Sequence, residues 1–426
     1  MSSSAILASK YETLTIDKNG KVVNIQGKTT SFDYYESLFS PNITALMTIV
    51  DTGGSVQSNS KYNRQERIGT IYNSLPITGG EKIEVIINSA LGKLTFDKNY
   101  PFYVNGTSNP AQKSNREAVL LSLVSKPGLD NLQTPLFNKY SGRISDSVSI
   151  ILEKELKIPK SKIKIDETQN SYSFLGRGKH PFENILNLSS KSVTPNGDPG
   201  FFFYETQDGF NFKSIDSLIS QPPKATYRKY EVLKEGVTND ANNYKIISAS
   251  VDKNQDLISA IKSGVYVNRN LFFDPRTFTL TEDVVKLSDI GIKNSLGKSV
   301  EIPPDLKEYA RTHYKILDVG TLDTNLYGDI NNNPRLYQAK STIRYNILFS
   351  QILNIQIPCN PNLRCGDVIT CEFEVITQGQ KEVDVNDPTQ SGNYLILHLC
   401  HHFDPKRSYT SLTLVRDTYG IYTNKK

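Results

Sequence analysis

Residues 200–215 read GFFFYETQDGFNFKSI, and this stretch constrains the fold more than any other. Successive strand residues point to opposite faces. Phe201 and Phe203 therefore share one face, and Phe202 and Tyr204 take the other. A strand that is apolar on both sides must be covered on both sides, so the chain has to build at least two layers around it. Asp208-Gly209 supplies the residue types of a tight hairpin turn. Beyond the turn, Phe210 and Phe212 alternate with Asn211 and Lys213. Exposed rings beside cations would suit single-stranded nucleic acid, but Lys213 is the one cation of the hairpin before Lys224. Each buried ring contributes roughly 1.5–3 kcal/mol, and the rings are expected to face inward.

At 426 residues the chain exceeds one ordinary core and predicts two to four domains. Lys and Arg number 49 against 44 Asp and Glu, a net charge of +5 without a basic block, so charge names no nucleic-acid partner. The opening MSSSAILASKYETLTI lacks the basic region of a secretory signal. No stretch approaches the ~18 apolar residues of a membrane span. The expectation is synthesis in a cytosol with no membrane insertion, where a sequon such as Asn42 carries no sugar. Cys359, Cys365, Cys371 and Cys400 contain no CxxC, and a disulfide scaffold is not expected.

Between 30 and 125, short runs rich in Ile, Val, Leu and Thr (NITALMTIVD, EKIEVIIN, GKLTFDKN, REAVLLSLVSK) are separated by turn residues, the pattern of antiparallel strands in a barrel or sandwich. The pattern then changes. Ile144, Val148, Ile151, Leu152 and Leu156 form one helical stripe capped by Ser145 or Asp146, and Pro181 opens a second helix. Residues 221–333 are more polar, with a helix in DKNQDLISAIKS closed by Gly264 and a β-like GVYVNRNLFFDPRTFTLTE. A helix from Pro334 carries Leu336, Ala339, Ile343 and Ile347 on one stripe, and strands run to the end.

An internal repeat is visible. GEKIEVII at 80–87 lies over GDVITCEF at 366–373. Upstream of each is an apolar strand, ITALMTIV and FSQILNIQI; downstream of each is another, AVLLSLV and YLILHLC. Two related β domains in one chain follow from that order.

PGFFFYETQDGFNFKSIDSL, RLYQAKSTIRYNILFSQILNIQIPCNPNLRCGDVI and SGNYLILHLCHHFDPKRSYTSLTLVRDTYG together resemble the baseplate hub proteins of T-even-type contractile-tailed bacteriophages, the hub part of the cell-puncturing device. The resemblance implies a β-rich α+β multidomain fold with two related antiparallel, tail-tube-like β-barrels. The domains would be a first barrel at 1–125, a small α+β domain at 126–199, a second barrel from 200–225 and 335–426, and an inserted domain at 226–334. It further implies a structural virion protein of the tail baseplate, a homotrimer whose ring joins the sixfold tail tube to the threefold central spike. Its partners would be the spike, the tube or tube-initiator proteins, and wedge or tape-measure proteins, with DNA passing through the channel unbound. The family pattern carries small or glycine residues around the turn before LRCGDVI; Cys359 and Cys365 depart from it and put that turn's geometry in question.

The rival chemistries are weak. His398, Cys400, His401 and His402 with Cys359, Cys365 and Cys371 hold the right atoms for zinc, but the cysteines are six apart and span more than one strand. Alternation puts His398, Cys400 and His402 opposite His401, and the cysteines read as small apolar residues. LGRGKH at 175–180 fails as a phosphate loop, with Ser173 at the first glycine and His180 where Ser or Thr belongs. Glu205 and Asp208 could mimic a glycosidase pair, yet the turn explains Asp208 and a strand edge or capping contact explains Glu205. No catalytic, cofactor-binding or metal-binding residue is assigned. The alternatives are a receptor- or carbohydrate-binding tail component and a zinc-stabilised structural module.

Overall fold

The computed structural model describes residues 7–53, 56–58, 67–69, 71, 75, 77–113, 116–229, 242–253, 256–290, 295–297, 311–319, 322, 330–374 and 386–418. The fold is β-rich, and a single 14-stranded sheet runs through most of it. Its alternating sequences become alternating burial: Lys82–Ser89 buries Ile83, Val85 and Ile87 while the residues between them stay partly exposed.

Among the described residues, eight strands of this sheet come from the first part of the chain: β1 (Lys10–Lys18), β2 (Thr29–Ser37), β3 (Thr44–Asp51), β4 (Lys82–Ser89), β5 (Phe102–Lys113) and β6 (Arg116–Ser125), with the short Lys21–Asn24 paired to β1 and Gly92–Phe96 paired to β4. A three-stranded sheet follows, made of β7 (Ile163–Ile165), β8 (Phe201–Thr206) and β9 (Gly209–Ser214). Next come β10 (Thr226–Lys229) and β11 (Ser248–Lys253), then a second three-stranded sheet of β12 (Val267–Asp274), β13 (Thr279–Lys286) and β14 (Arg311–Ile316). The chain returns to the large sheet with β15 (Gln351–Pro358), β16 (Val368–Phe373), β17 (Gly392–Phe403) and β18 (Ser408–Arg416).

The large sheet contains the same strand order twice. The first unit pairs as β2-β3-β6-β5-β4-β1 and the second as β11-β15-β18-β17-β16-β10. Within each unit the corresponding strands also occur in the same chain order. The correspondence extends to single hydrogen bonds. Gly80 N–H donates to the Val104 carbonyl at 2.7 Å, and Gly366 N–H to that of Ile396 at 2.9 Å. Val104 and Ile396 return bonds to the carbonyls of Glu81 and Asp367, both at 2.9 Å. A register irregularity follows in each case, between Ser122/Leu123 in one pairing and Ile396/His398 in the other. One pair differs in direction: β1 runs antiparallel to β4, whereas β10 runs parallel to β16.

This register matches the overlay of GEKIEVII on GDVITCEF read from the sequence. The downstream match is corrected. YLILHLC belongs to β17, whose counterpart is β5, and AVLLSLV belongs to β6, whose counterpart is β18. Adjacent apolar strands of one length cannot be told apart by alternation alone.

The aromatic hairpin has the expected layering. All six residues of β8 are buried. Phe201, Phe203, Phe210 and Phe212 enter a core with Ile144, Val148, Ile151, Phe182 and Ile185, while Phe202 and Tyr204 enter the core of the large sheet. The hairpin is hydrogen-bonded to β7 rather than to the large sheet, so its pairing ties it to the segment expected as the small α+β domain. Conversely, β10 and β11, within the segment expected as the insertion, pair into the large sheet.

The helices α1 (Lys126–Gln133), α2 (Ile144–Ile150), α3 (Pro181–Ser189), α4 (Ile215–Ile219), α5 (Leu257–Ser263) and α6 (Gln338–Leu348) connect these sheets. Pro181 occupies the first turn of α3 as expected. The cap expected at Ser145 or Asp146 is instead Arg143, and α2 continues into a π-helical turn over Ile151–Glu155. Gly264 closes α5 in the left-handed region at φ 76°, after a start at the Asp256 cap, whose side chain accepts from Ser259 N–H. The helix expected from Pro334 is broken: Pro334–Leu336 form a 3-10 turn and α6 starts at Gln338. Leu336 is thereby left 60% exposed, off the stripe of Ala339, Ile343 and Ile347. At the turn before β16 the positive φ falls on Gly366, at 85°, and not on Cys365. Among the described residues no helix is long and apolar enough to cross a membrane.

Candidate functional site

The join between the two units is the place where the duplicated fold becomes one object. β17 pairs antiparallel with β2, from His398 opposite Ser37 to Phe403 opposite Phe32. Its N-terminal half has already paired with β16, Leu395 facing Val368, so β2 occupies the remaining half of that edge.

Two acids are buried beneath this join. Glu36, on β2, accepts the Tyr34 hydroxyl at 2.6 Å, Cys365 N–H at 2.8 Å and Gln207 N–H at 2.9 Å. It thus fastens the first unit to the β8–β9 turn and to the glycine turn of the second. Burial raises its pKa, against the pull of nearby Arg364. Glu205, on β8, accepts from Ile43 N–H at 2.9 Å, the Ser125 hydroxyl at 2.6 Å and the Tyr100 hydroxyl at 2.5 Å. Burial pushes its pKa up to about 7, with the three donors opposing.

The glycine turns are built alike. Glu81 accepts Thr78 N–H at 2.9 Å and Asp367 accepts Arg364 N–H at 2.7 Å. Each acid also meets a lysine, Lys18 at 3.0 Å and Lys224 at 2.8 Å. An acid that satisfies a turn amide and is itself neutralised fixes the entry angle of the following strand.

The structure separates the sequence's rival sites. His401 is buried, stacked on Tyr34 with ring centroids 5.9 Å apart, and its Nδ1 lies 2.8 Å from Thr410 Oγ1. Burial depresses its pKa to about 3, and Arg364 adds to the effect. His398, Cys400 and His402 lie on the opposite, partly exposed face, and His402 meets Asp33. Burial raises the Cys359 and Cys400 thiols to about 12, and raises those of Cys365 and Cys371 as well. Among the described residues, no three His, Cys, Asp or Glu side chains are grouped to hold a metal ion.

The LGRGKH loop spends its amides internally, Gly178 N–H donating to the Leu136 carbonyl at 2.8 Å and Lys179 N–H to that of Gly176 at 3.0 Å. Few donors remain to cradle a phosphate. Asp208 pairs with Arg364 at 3.2 Å in the hairpin turn. Glu205, expected at a strand edge or in a capping contact, is instead wholly buried. Sequence reasoning missed its role, and that of Glu36; the available signal was an acid inside an otherwise apolar strand, FFFYET.

No protein-family model matches the chain. It is 24% identical over 374 residues to a probable baseplate hub protein of Vibrio phage KVP40, covering 83% of this chain and 85% of that protein. Among solved structures, the tail protein from Neisseria meningitidis MC58 matches with a TM-score of 0.56 at 10% identity, over 95% of this chain and 96% of that one. The 43 kDa tail protein of prophage MuSo2 from Shewanella oneidensis matches with a TM-score of 0.54 at 10% identity, over 95% and 99%. The chain therefore has the fold of these tail proteins, and the resemblance to baseplate hub proteins carried by its sequence is borne out. All three are named as tail or baseplate components, in agreement with the non-enzymatic reading.

Proposed function

We propose that this chain is a structural component of a phage virion, a baseplate hub protein at the end of the tail, and that three copies close into a ring. The observation that carries the reading is the repeated strand order β2-β3-β6-β5-β4-β1 and β11-β15-β18-β17-β16-β10 within one polypeptide. Three copies of such a chain present six alike units while keeping threefold symmetry. A ring of this kind can receive a sixfold tail tube on one face and seat a threefold spike on the other. The hub relative supports the assignment to the tail baseplate. On this reading each six-stranded unit is a tube-like barrel domain, residues 126–219 form a layer beside them, and the chain between β11 and β15 is an insertion at a point where the first unit has only a short loop. Tube or tube-initiator proteins, the spike, and wedge or tape-measure proteins are the partners it implies.

Mass measurement of the purified chain by light scattering, with negative-stain imaging of the same sample, tests this. A species three times the monomer mass with a six-lobed outline and a central channel is expected. A monomer that stays monomeric at high concentration, or one that binds glycans, overturns it.

A further inference from the structure

The large sheet has two open edges that are the missing halves of a joint the chain already makes once. In the second unit, the C-terminal half of β17 is covered by β2. The counterpart of β17 is β5. Its first residues pair with β4, Ile83 facing Phe102 and Lys82 facing Tyr103, and Val104 N–H bonds the Glu81 carbonyl. Beyond Val104, among the described residues, no strand lies on that side of β5, although β6 follows the other side as far as Lys113. The counterpart of β2 is β11. It pairs with β15 on one side, and among the described residues it has no neighbour on the other. Its side chains are exposed or half-exposed throughout, Val251 at 37%.

We propose that β11 of one copy adds antiparallel to the outer edge of β5, residues 107–112, in a second copy of this chain, repeating between molecules the join that β2 makes with β17 within one. This deepens the ring reading above and rests on it. A row of free N–H and C=O groups on an exposed strand is a template for another strand, and here strand and template occur in the same sequence in equal number. Among the described residues they do not pair within one molecule: β11 lies at one end of the sheet, and β5 lies beyond β2, β3 and β6. The register carries across. His402 lies opposite Asp33 in the internal join. Aligned through β6 and β18, the counterpart of His402 is Ala111, facing Ala118 as His402 faces Tyr409. Aligned through β3 and β15, the counterpart of Asp33 is Ser250, facing Asn354 as Asp33 faces Leu46. Ser250 of one copy is thus opposite Ala111 of the next. Pro110, which has no N–H, falls where the β5–β6 register skips between Ala118 and Leu120, a position at which an edge strand tolerates proline.

Opposed residues in antiparallel strands stand about 4.5–5.5 Å apart at Cα, within the span of a disulfide. The full-length chain carrying Ser250→Cys and Ala111→Cys together is expected, on mild oxidation, to run as a covalent three-chain species in non-reducing electrophoresis. Neither single variant should do so, nor the offset pair Ser250→Cys with Ser108→Cys. A trimer in solution that forms no such crosslink overturns this joint and leaves the ring reading standing; a chain that is monomeric and uncrosslinked overturns both. Hydrogen exchange on the unmodified chain gives an independent reading. Amides of 248–253 and 107–112 are expected to be protected in the assembled state and to lose that protection on dilution to monomer. Equal exchange in the two states overturns the joint.

Discussion

Tyr100 donates its hydroxyl to the carboxylate of Glu205 at 2.5 Å, joining the chain just ahead of β5 to β8, the first strand of the aromatic hairpin. Because burial holds Glu205 near a pKa of about 7, the folded chain keeps a proton there that the unfolded chain releases near 4.5. The folded state binds more protons in that window, so this group makes stability fall as pH rises from about 4.5 to 7, by roughly 3 kcal/mol at most. Glu205→Gln should remove the dependence. Its Oε1 can accept from Ile43 N–H and Ser125 while its amide donates to Tyr100, so at pH 8 it is expected to be at least as stable as the native chain. Glu205→Ala leaves the Ile43 N–H without its acceptor and is expected to lose ~1–3 kcal/mol. Urea midpoints at pH 5 and pH 8 decide, and an unchanged pH dependence in the Gln variant rejects the account.

His401 has the opposite slope. Its folded pKa of about 3 lies below the unfolded value of 6.5, so between those values the unfolded chain takes up a proton that the folded chain refuses. Stability from this group is complete above pH 6.5 and declines as pH falls toward 3. His401→Phe keeps a ring against Tyr34, and the Thr410 hydroxyl keeps the Asn360 N–H at 3.1 Å. The variant should resist acid unfolding better than the native chain. Between about pH 4.5 and 6.5 the two slopes oppose one another, so each variant should uncover the other's dependence. Midpoints measured in half-unit steps suffice to see it; parallel curves would refute the pairing of opposite signs.

Alternation made the strands legible, and the double-sided apolar run at 201–204 announced a layer between two cores, which is where β8 lies. The glycine-acid turn was legible as well, since Gly80-Glu81 and Gly366-Asp367 each carry a geometry that side-chain type dictates locally. Sheet membership was not. Whether Phe210 and Phe212 pair with β7 or with the large sheet depends on contacts distant in sequence, which no local pattern encodes. The same limit hid Glu36 and Glu205: an acid in a strand looks alike at an edge and in a core until its three donors are brought to it.

Arg344, on α6, bonds Asp417 at 3.2 Å and Asp216 at 2.6 Å. It connects the helix entering β15 to the chain leaving β18 and to α4. Asp417 is 1% exposed and also accepts from Leu296 N–H at 2.9 Å. Replacing Arg344 by Met leaves two carboxylates facing each other without a cation, which for a buried pair costs about 3–5 kcal/mol. Thermal unfolding of Arg344→Met should show that loss, with Asp216→Asn much milder because Asp216 is nearer to solvent. A cost below about 1 kcal/mol for the Met variant would mean the pair is not what holds α6 in place.

The two glycine turns offer a comparison internal to the chain. Gly80 and Gly366 have φ of 86° and 85°, a region costly to any residue with a Cβ. A Cβ on Gly80 would meet nothing within 4 Å, whereas one on Gly366 would stand 2.3 Å from the Tyr204 hydroxyl and 3.1 Å from its Cζ. Gly80→Ala should therefore cost only the backbone strain, about 1–2 kcal/mol. Gly366→Ala adds a clash with the aromatic hairpin and should cost about 1–3 kcal/mol more. Tyr204→Phe deletes the offending oxygen, so in that background the cost of Gly366→Ala should drop toward that of Gly80→Ala. A double-mutant cycle reads the difference as a coupling of about 1–2 kcal/mol. Equal costs for the two glycines, or a cycle that closes with no coupling, would mean that the second turn is not seated on Tyr204 and that the two turns differ in sequence alone.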